Sequence, residues 1–477
     1  MTLADLHSAL PELIVLLLAS TVLLLDLYID PRRRGMLHLI SLLGLLFAAM
    51  TTFGDLTPVD KAQHLFSGTV VRDRLGDVLK LFAYIVTAMI FVYAKHYLRV
   101  FKLFRGEFHA LVLFVLLGAL VLISAASLVT VYLGLELIAL SSYALVAFNR
   151  DLPRCSEAAM KYFILGSLAS GLLLYGMSLL YGLSGSLELA SISAASLWGD
   201  QWIATFALVF IITGIAFKLG AAPFHLWVPD VYHGAPAAVT LLLSSLPKLA
   251  AFAMAYRLLH DALAPLLAQW QGMLVIVAAL SIILGNLVAI AQSNIKRMLA
   301  YSTISHMGFL LLGVLAGSPA GFSAAMFYAV IYALMSAGAF GIVILLSGHG
   351  IEAENLDDFK GLNQRHPWYA FMMLLLMASM AGIPVLAGFF AKWLVIQAVL
   401  DAGFTWLAIL ALIFSVVGAY YYLRVVKLMY FDDPRSEQAV TAPADFRVIL
   451  SANGLAQLAI GLFPGPLIAL CTAVFAG

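Results

Sequence analysis

Apolar runs long enough to cross a bilayer recur along this whole chain, and they constrain its fold more than any other feature. A helix needs roughly 20 apolar residues to span the hydrocarbon core. Such runs lie near residues 10–28, 36–53, 78–98, 108–124, 127–148, 158–182, 202–222, 236–257, 272–291, 298–316, 321–347, 368–399, 404–424 and 447–475, about fourteen in all. Backbone polar groups in lipid must be satisfied within the segment, so the runs are expected to be helices. The chain is read as an all-α polytopic membrane protein. Its composition agrees: 63% of the 477 residues are hydrophobic and 11% are charged, more apolar surface than an aqueous domain can hide. The formal net charge of +1 gives no basic bias, which sets nucleic acid aside and leaves the lipid bilayer as the expected surroundings.

The first run is not a signal peptide by its charges. Arg32, Arg33 and Arg34 follow the apolar core instead of preceding it, so it reads as a retained first span. The cations also set an orientation. If the loop after the first span faces the cytoplasm and sides alternate, most Lys and Arg fall in cytoplasmic loops, and only Lys61, Arg72, Arg74 and Arg257 fall in the opposite ones. A miscounted span would scramble that split. Both termini are then expected on the outer, periplasmic side. Four cations remain, Lys80, Lys218, Lys248 and Lys392, in or beside apolar segments.

Two cysteines, Cys155 and Cys471, lie far apart with no CxxC. By themselves they cannot ligate an iron–sulfur cluster or a four-ligand zinc site. There is no GxGxxG opening a helix after a strand and no Walker A stretch. Redox cofactors and nucleotides therefore have no recognisable motif here, and any electrons are expected to flow elsewhere.

Two spans are interrupted. FKLGAAPFHLWVPD, Phe217 to Asp230, breaks after Lys218 through Gly220 and Pro223, and MAGIPVLAG breaks a later span near Pro384. About five spans separate the breaks, an odd number, so the two broken helices are expected to run in opposite directions. Paired Gly/Pro-interrupted helices point to an inverted repeat with a transport pathway near the breaks.

Charges in the middle of spans carry the chemistry. Glu136 sits mid-span in VYLGLELIALSSYALVAF. A lone carboxylate there costs roughly 2.5–3.5 kcal/mol, so it must face protein or water. It reads as a titrating group, with a structural anchor as the alternative. Lys218 closes an apolar run that resumes beyond it; snorkelling to the interface is its alternative reading. Lys248 follows Pro247, whose freed backbone carbonyl can solvate an ammonium. Lys392 follows the second break by a turn or two. Together these residues suit proton relay. Burial makes an ammonium easier to deprotonate and a nearby carboxylate restores its proton. At 4 Å and an effective dielectric of 20, one such pair is coupled by about 4 kcal/mol. The breaks supply room for water and a hinge.

His306 is either a relay histidine or a packed one satisfied by Ser or Thr. His225 and His233 flank the first break and read more simply as packing residues. Tyr420, Tyr421 and Tyr422 read as an aromatic belt, and Asp26 and Lys80 as near-interface charges. The 183–200 loop has no legible chemistry. Two rival functions remain: a cation/proton antiporter, which three mid-membrane lysines disfavour by repelling sodium, and a scaffold that would tolerate neutral residues at Glu136, Lys218 and Lys392.

GLELIALSSYALVAF, FKLGAAPFHLWVPDVYHGAPAAVT, LPKLA and NIKRMLAYSTISHMGFLLLG resemble the proton-conducting antiporter-like membrane subunits of bacterial complex I, the proton-translocating NADH:quinone oxidoreductase. The resemblance spans nearly the whole chain, and KxGxxPFHxWxPDxYxGAP is its most specific string. It implies fourteen helices, two inverted five-helix repeats, broken helices seven and twelve, and a central hydrophilic axis. Residues 1–105 would form an N-terminal three-helix segment, 106–260 the first repeat, 261–430 the second, and 431–477 the last helix. Glu136 and Lys218 would be a charge pair on helices five and seven, Lys248 and His306 the central relay, and Lys392 the exit-side residue. The resemblance implies the cell inner membrane, with neighbouring antiporter-like and small membrane subunits as partners. No cofactor or metal is expected on this chain; NADH, FMN, iron–sulfur clusters and quinone belong to other subunits. Cation/proton antiporter complexes and membrane hydrogenases share the plan and form the alternative. Of the three large subunits in the family, the largest is set aside by the absence of a long lateral helix after the fourteenth span. Lys392 stands where the middle one typically carries glutamate, and the opening LPELIVLLLASTVLLLDL points the same way.

Overall fold

Helix ends fall where the sequence supplies caps. Asp73 accepts the Gly76 amide, Ser127 that of Thr130, Asn294 that of Arg297 and Ser318 that of Gly321, each satisfying one orphan donor of a first turn. In the computed structural model, which describes residues 3–58, 61–195, 201–348, 350–434 and 441–476, the longer helices are as follows. The first six are α1 (Leu10–Asp26), α2 (Gly35–Gly54), α3 (Arg74–Val100), α4 (Gly106–Ile123), α5 (Leu128–Val146) and α6 (Pro153–Ser184). Next come α7 (Gln201–Leu219), α8 (Trp227–Gly234), α9 (Ala237–Tyr256), α10 (Leu267–Ile290), α11 (Ile295–Leu315) and α12 (Pro319–Leu346). The last are α13 (Pro367–Ala381), α14 (Ala387–Asp401), α15 (Thr405–Phe431), α16 (Ala444–Leu462) and α17 (Gly465–Val474). The strands among the described residues form one small hairpin, Gln63–Leu65 against Val70–Arg72.

The chain is thus all-α in its membrane part. Among the described residues eleven helices are long and apolar enough to cross a membrane, or twelve if α16 and α17, bent by 82°, make one span. α9 is buried along its entire apolar stretch and α11 and α12 nearly so, whereas α2, α6 and α15 bury about a third of theirs. The centre of the bundle is therefore α9, α11 and α12, and α2, α6 and α15 lie at its periphery. Close approach inside the bundle depends on small residues: a Cβ at Gly118 of α4 would collide with the backbone of α5 at Gly134 and Ile138.

Both expected breaks are present. α7 stops at Leu219, Gly220 takes φ +79°, and helix resumes at Trp227. α13 stops at Ala381, Gly382 takes φ +87°, and α14 starts at Ala387. Left-handed glycine is the usual helix terminator, and Pro223 and Pro384 keep the chain from re-entering helix at once. Pro247, by contrast, sits inside α9 without ending it.

One expectation about aromatic residues is corrected and one about charges is extended. Lys80, expected near the interface, is 2% exposed, with Nζ 2.6 Å from Glu12 Oε1 of α1, a counter-ion that makes its burial tolerable. Tyr421 and Tyr422 are not belt residues but fully buried core side chains, and only Tyr420 of the three faces outward. Three consecutive positions cannot share one helix face. Asp26 stays at its helix end, paired with Arg34 at 3.1 Å. Arg435, counted among the cytoplasmic cations, lies outside the described residues.

Candidate functional site

Lys218, Lys248, Lys392 and His306 are buried within the bundle, and Glu136 is half-buried at its edge. Lys218, on the last turn of α7, is 7% exposed. It lines a cavity of about 10 Å³ with Tyr143, Tyr162 and Ser170, room for about one water. Glu136 of α5 lies one turn from Ala139 of the same cavity wall. It is half-buried, and its Oε1 has no hydrogen-bond partner. The implied charge pair is therefore not a contact pair: no ion pair within 4 Å among the described residues includes Glu136 or Lys218. The reason is α6, which packs against both α5 and α7 and contributes Tyr162, Gly166, Ala169 and Ser170 to the cavity between them.

Lys248 reaches from α9 to the first break. Its Nζ donates to the Leu219 carbonyl at 2.7 Å and lies 3.5 Å from that of Lys218, with the Trp227 ring 5.3 Å away. These carbonyls lose their helical partners where α7 stops. Proximity to Pro247 is thus not what solvates the ammonium; a neighbouring broken helix does. Trp227 in turn donates its Nε1 proton to the Phe217 carbonyl at 3.0 Å, and Ser281 of α10 accepts the Ala222 amide at 2.8 Å, so the break is fastened from two sides.

Lys392 repeats this arrangement at the second break. Its Nζ donates to the Ala381 carbonyl at 2.8 Å and to Ser415 Oγ at 2.9 Å, 5.1 Å from the Phe309 ring. Neither Lys248 nor Lys392 has a carboxylate within 4 Å among the described ion pairs.

His306 of α11 is 3% exposed and held through both ring nitrogens. Nδ1 is 2.6 Å from the Tyr328 hydroxyl and Nε2 2.9 Å from that of Tyr422. Tyr422 continues to Ser302 at 2.5 Å, and Tyr332 donates to Thr303 at 2.7 Å. Tyr421 donates to Asn286, which donates to Ser305. The histidine thus links α12 to α15 through two hydroxyls, within a buried polar cluster that Asn286 of α10 extends. Tyr328, Tyr332 and Ser336 follow one another at i, i+4 and i+8 along α12, a helical polar stripe in an apolar span that sequence reasoning passed over.

A second cluster, at the α9 end of the broken span, was not anticipated as a unit, although His233 was noted beside the break. Lys296, wholly buried, contacts Glu352 at 2.8 Å and Glu354 at 4.0 Å. Arg154 reaches Glu354 at 2.6 Å and Glu352 at 3.5 Å, and His233 Nε2 lies 3.5 Å from Glu354. Burial opposes ionisation of Glu354, but His233, Lys296 and Arg154 overcome it and hold the carboxyl below its usual range. His233 thus forms the exposed edge of this buried network, while His225 stands half-buried with Nδ1 unpartnered. The cluster's members come from the ends of three helices and one loop, far apart in sequence, so no spacing marks them as neighbours.

Comparison with known proteins assigns the family. A profile described as NADH:quinone oxidoreductase/Mrp antiporter, TM, matches residues 125–434. NADH-quinone oxidoreductase subunit N of Thioalkalivibrio sulfidiphilus is 53% identical over 471 residues, covering 98% of this chain and 98% of that one. A chain of respiratory complex I from Thermus thermophilus superposes with TM-score 0.83 at 32% identity, covering 96% of this chain and 98% of that one. A chain of the Mrp complex from Dietzia sp. DQ12-45-1b has TM-score 0.86 at 22% identity, covering 100% of this chain and 97% of that one, a likeness of fold alone. The chain belongs to the subunit N family of NADH-quinone oxidoreductase.

Proposed function

We propose that this chain moves protons across the bacterial inner membrane as a subunit of the NADH-quinone oxidoreductase complex, by a relay through Glu136, Lys218, Lys248, His306 and Lys392. The observation that carries the reading is the repeated arrangement at the two breaks: each presents a freed carbonyl to a buried lysine without a counter-ion (Lys248 on Leu219, Lys392 on Ala381). Between the two breaks, His306 holds hydroxyls on both ring nitrogens. A neutral or charged imidazole so held can pass a proton in at one nitrogen and out at the other. The water-sized cavity beside Lys218 is a place for transfer toward Glu136, by water instead of direct contact. An ammonium at each break repels sodium, which favours protons over the cation/proton antiporter reading.

Fourteen crossings follow if α1 is counted, α13 with α14 makes one broken span, and α16 with α17 another. Support comes from where residues of successive loops meet. Tyr97, Arg154, His233, Lys296 and Glu352 gather at one end, and Asp55, Arg72, Asp73 and Arg257 lie at the ends of other spans, as alternation requires. On this count both termini are outside. The segments 1–105, 106–260, 261–430 and 431–477 would then be the N-terminal part, two inverted repeats and the last helix. Redox centres, NADH, FMN and quinone would lie in other subunits. The half-buried Glu136 has Leu133 and Leu140, both more than half exposed, on either side along α5. A carboxylate on such a face is covered by a neighbouring membrane subunit, which the charge cost demands.

The test is Lys392→Met in the assembled complex in vesicles. Protons translocated per NADH oxidised should fall; wild-type pumping at normal assembly would remove Lys392 from the path.

A further inference from the structure

The three-residue joint Ala235–Pro236–Ala237 links α8, the second half of the first broken span, to α9, which carries Lys248. Two buried side chains from the far half of the chain hold it. Lys296, at the start of α11, donates to the Ala235 carbonyl at 2.7 Å and to Glu352 Oε2 at 2.8 Å. Glu352, in the loop after α12, accepts the Ala237 amide on Oε1 at 2.9 Å and the Tyr97 hydroxyl on the same oxygen. Lys296 is 0% exposed and the Glu352 side chain 3%. A carboxylate that accepts from three separate elements is held in one place and serves as a fixed anchor.

What it anchors is the arm bearing Lys248. From Ala237 to Lys248 is eleven residues of continuous helix, about 16 Å of stiff rod at 1.5 Å per residue. The far end of that rod is fastened by the 2.7 Å bond to Leu219, so α9 is pinned at the joint and at the break. A shift at the first pin is carried to the second, and about 1 Å is enough to disturb a transfer geometry. Room for such a shift exists: Tyr97, Arg154, Pro236 and Glu352 line a cavity of about 570 Å³ next to the joint.

We propose that Glu352 and Lys296 form a clamp on the α8–α9 joint and act as positioning residues for proton transfer at Lys248. This rests on the relay reading above. The clamp also ties the second half of the chain to the first, so a movement of the loop after α12 is transmitted to the first break.

The experiment uses the whole complex in vesicles with Glu352→Gln, Glu352→Asp and Lys248→Met, recording assembly, NADH oxidation, proton translocation and amide hydrogen exchange. In Glu352→Gln, exchange of the Ala237 amide is expected to rise by about tenfold, as loss of a charge-assisted bond implies, and protons per NADH to fall. Glu352→Asp keeps the charge but retracts it, so both changes should be smaller. If Glu352→Gln does not assemble, Glu352→Asp decides, and wild-type exchange with wild-type pumping in it overturns the clamp. Lost pumping with unchanged exchange overturns it too, since the effect would then not run through the joint. Pumping lost in Lys248→Met but kept in both Glu352 variants refutes the clamp alone. Pumping kept in Lys248→Met refutes the relay reading itself.

Discussion

Replacing Lys248 with Met separates stability from function, and the structure fixes the sign of each effect. The substitution loses the Leu219 bond at 2.7 Å, worth about 1.5–3 kcal/mol for a charged donor. It also loses the Trp227 face at 5.3 Å, worth about 0.5–2 kcal/mol. Against this, it removes a fully buried ammonium with no carboxylate within 4 Å among the described ion pairs, whose desolvation costs several kcal/mol. Met fills nearly the same volume, so no large cavity is left. The two sides cancel to within about 2 kcal/mol, and the variant complex should assemble normally with a melting temperature close to that of wild type. Its proton translocation per NADH should nevertheless fall sharply. Thermal unfolding of the purified complex and pumping in vesicles, measured on the same preparation, decide it. A destabilised complex whose surviving fraction pumps normally would refute the reasoning, because Lys248 would then be a structural prop.

Two further outcomes follow from the geometry. Tyr422→Phe strips His306 Nε2 and Ser302 of a buried partner, costing about 1–3 kcal/mol; a relay histidine predicts slowed pumping per assembled complex, a packing histidine only a lower melting temperature. Glu354, held below its usual range despite burial by His233, Lys296 and Arg154, contributes stability that is present above the ordinary carboxylate value of about 4.5 and lost as pH falls below it. The melting difference between wild type and Glu354→Gln should therefore be flat from about pH 8 to pH 5 and shrink in more acidic buffer; a difference that vanishes already at neutral pH would show the network to be mispaired.

Much of the architecture was legible because lipid leaves a chain few choices. Length and hydropathy marked the helices, and Gly220, Pro223, Gly382 and Pro384 marked both breaks, since glycine and proline act locally. The partners of charged residues were not legible. The ion pair of Lys80 was not legible because Glu12 lies far away in sequence. Glu136 and Lys218 were expected as a charge pair, and nothing in the string says that α6 packs against both of their helices and lines the cavity between them. Lys248 was assigned to the carbonyl freed by its own Pro247, whereas the carbonyl it holds belongs to Leu219 on another helix. Tyr421 and Tyr422 read as a belt until the packing of α15 on α10 and α11 turned them inward. In each case the missing information was three-dimensional, a neighbour across the bundle.

The central claim is that protons pass through this chain, and Lys218 is where it is most exposed to test. The measurement is protons translocated per NADH oxidised, wild type against Lys218→Met, in vesicles carrying complex of equal assembly. The account predicts a clear loss of pumping, with any fall in oxidation reporting how tightly the two are coupled. Unchanged pumping and oxidation would contradict it and leave Lys218 a structural residue at the end of a broken helix.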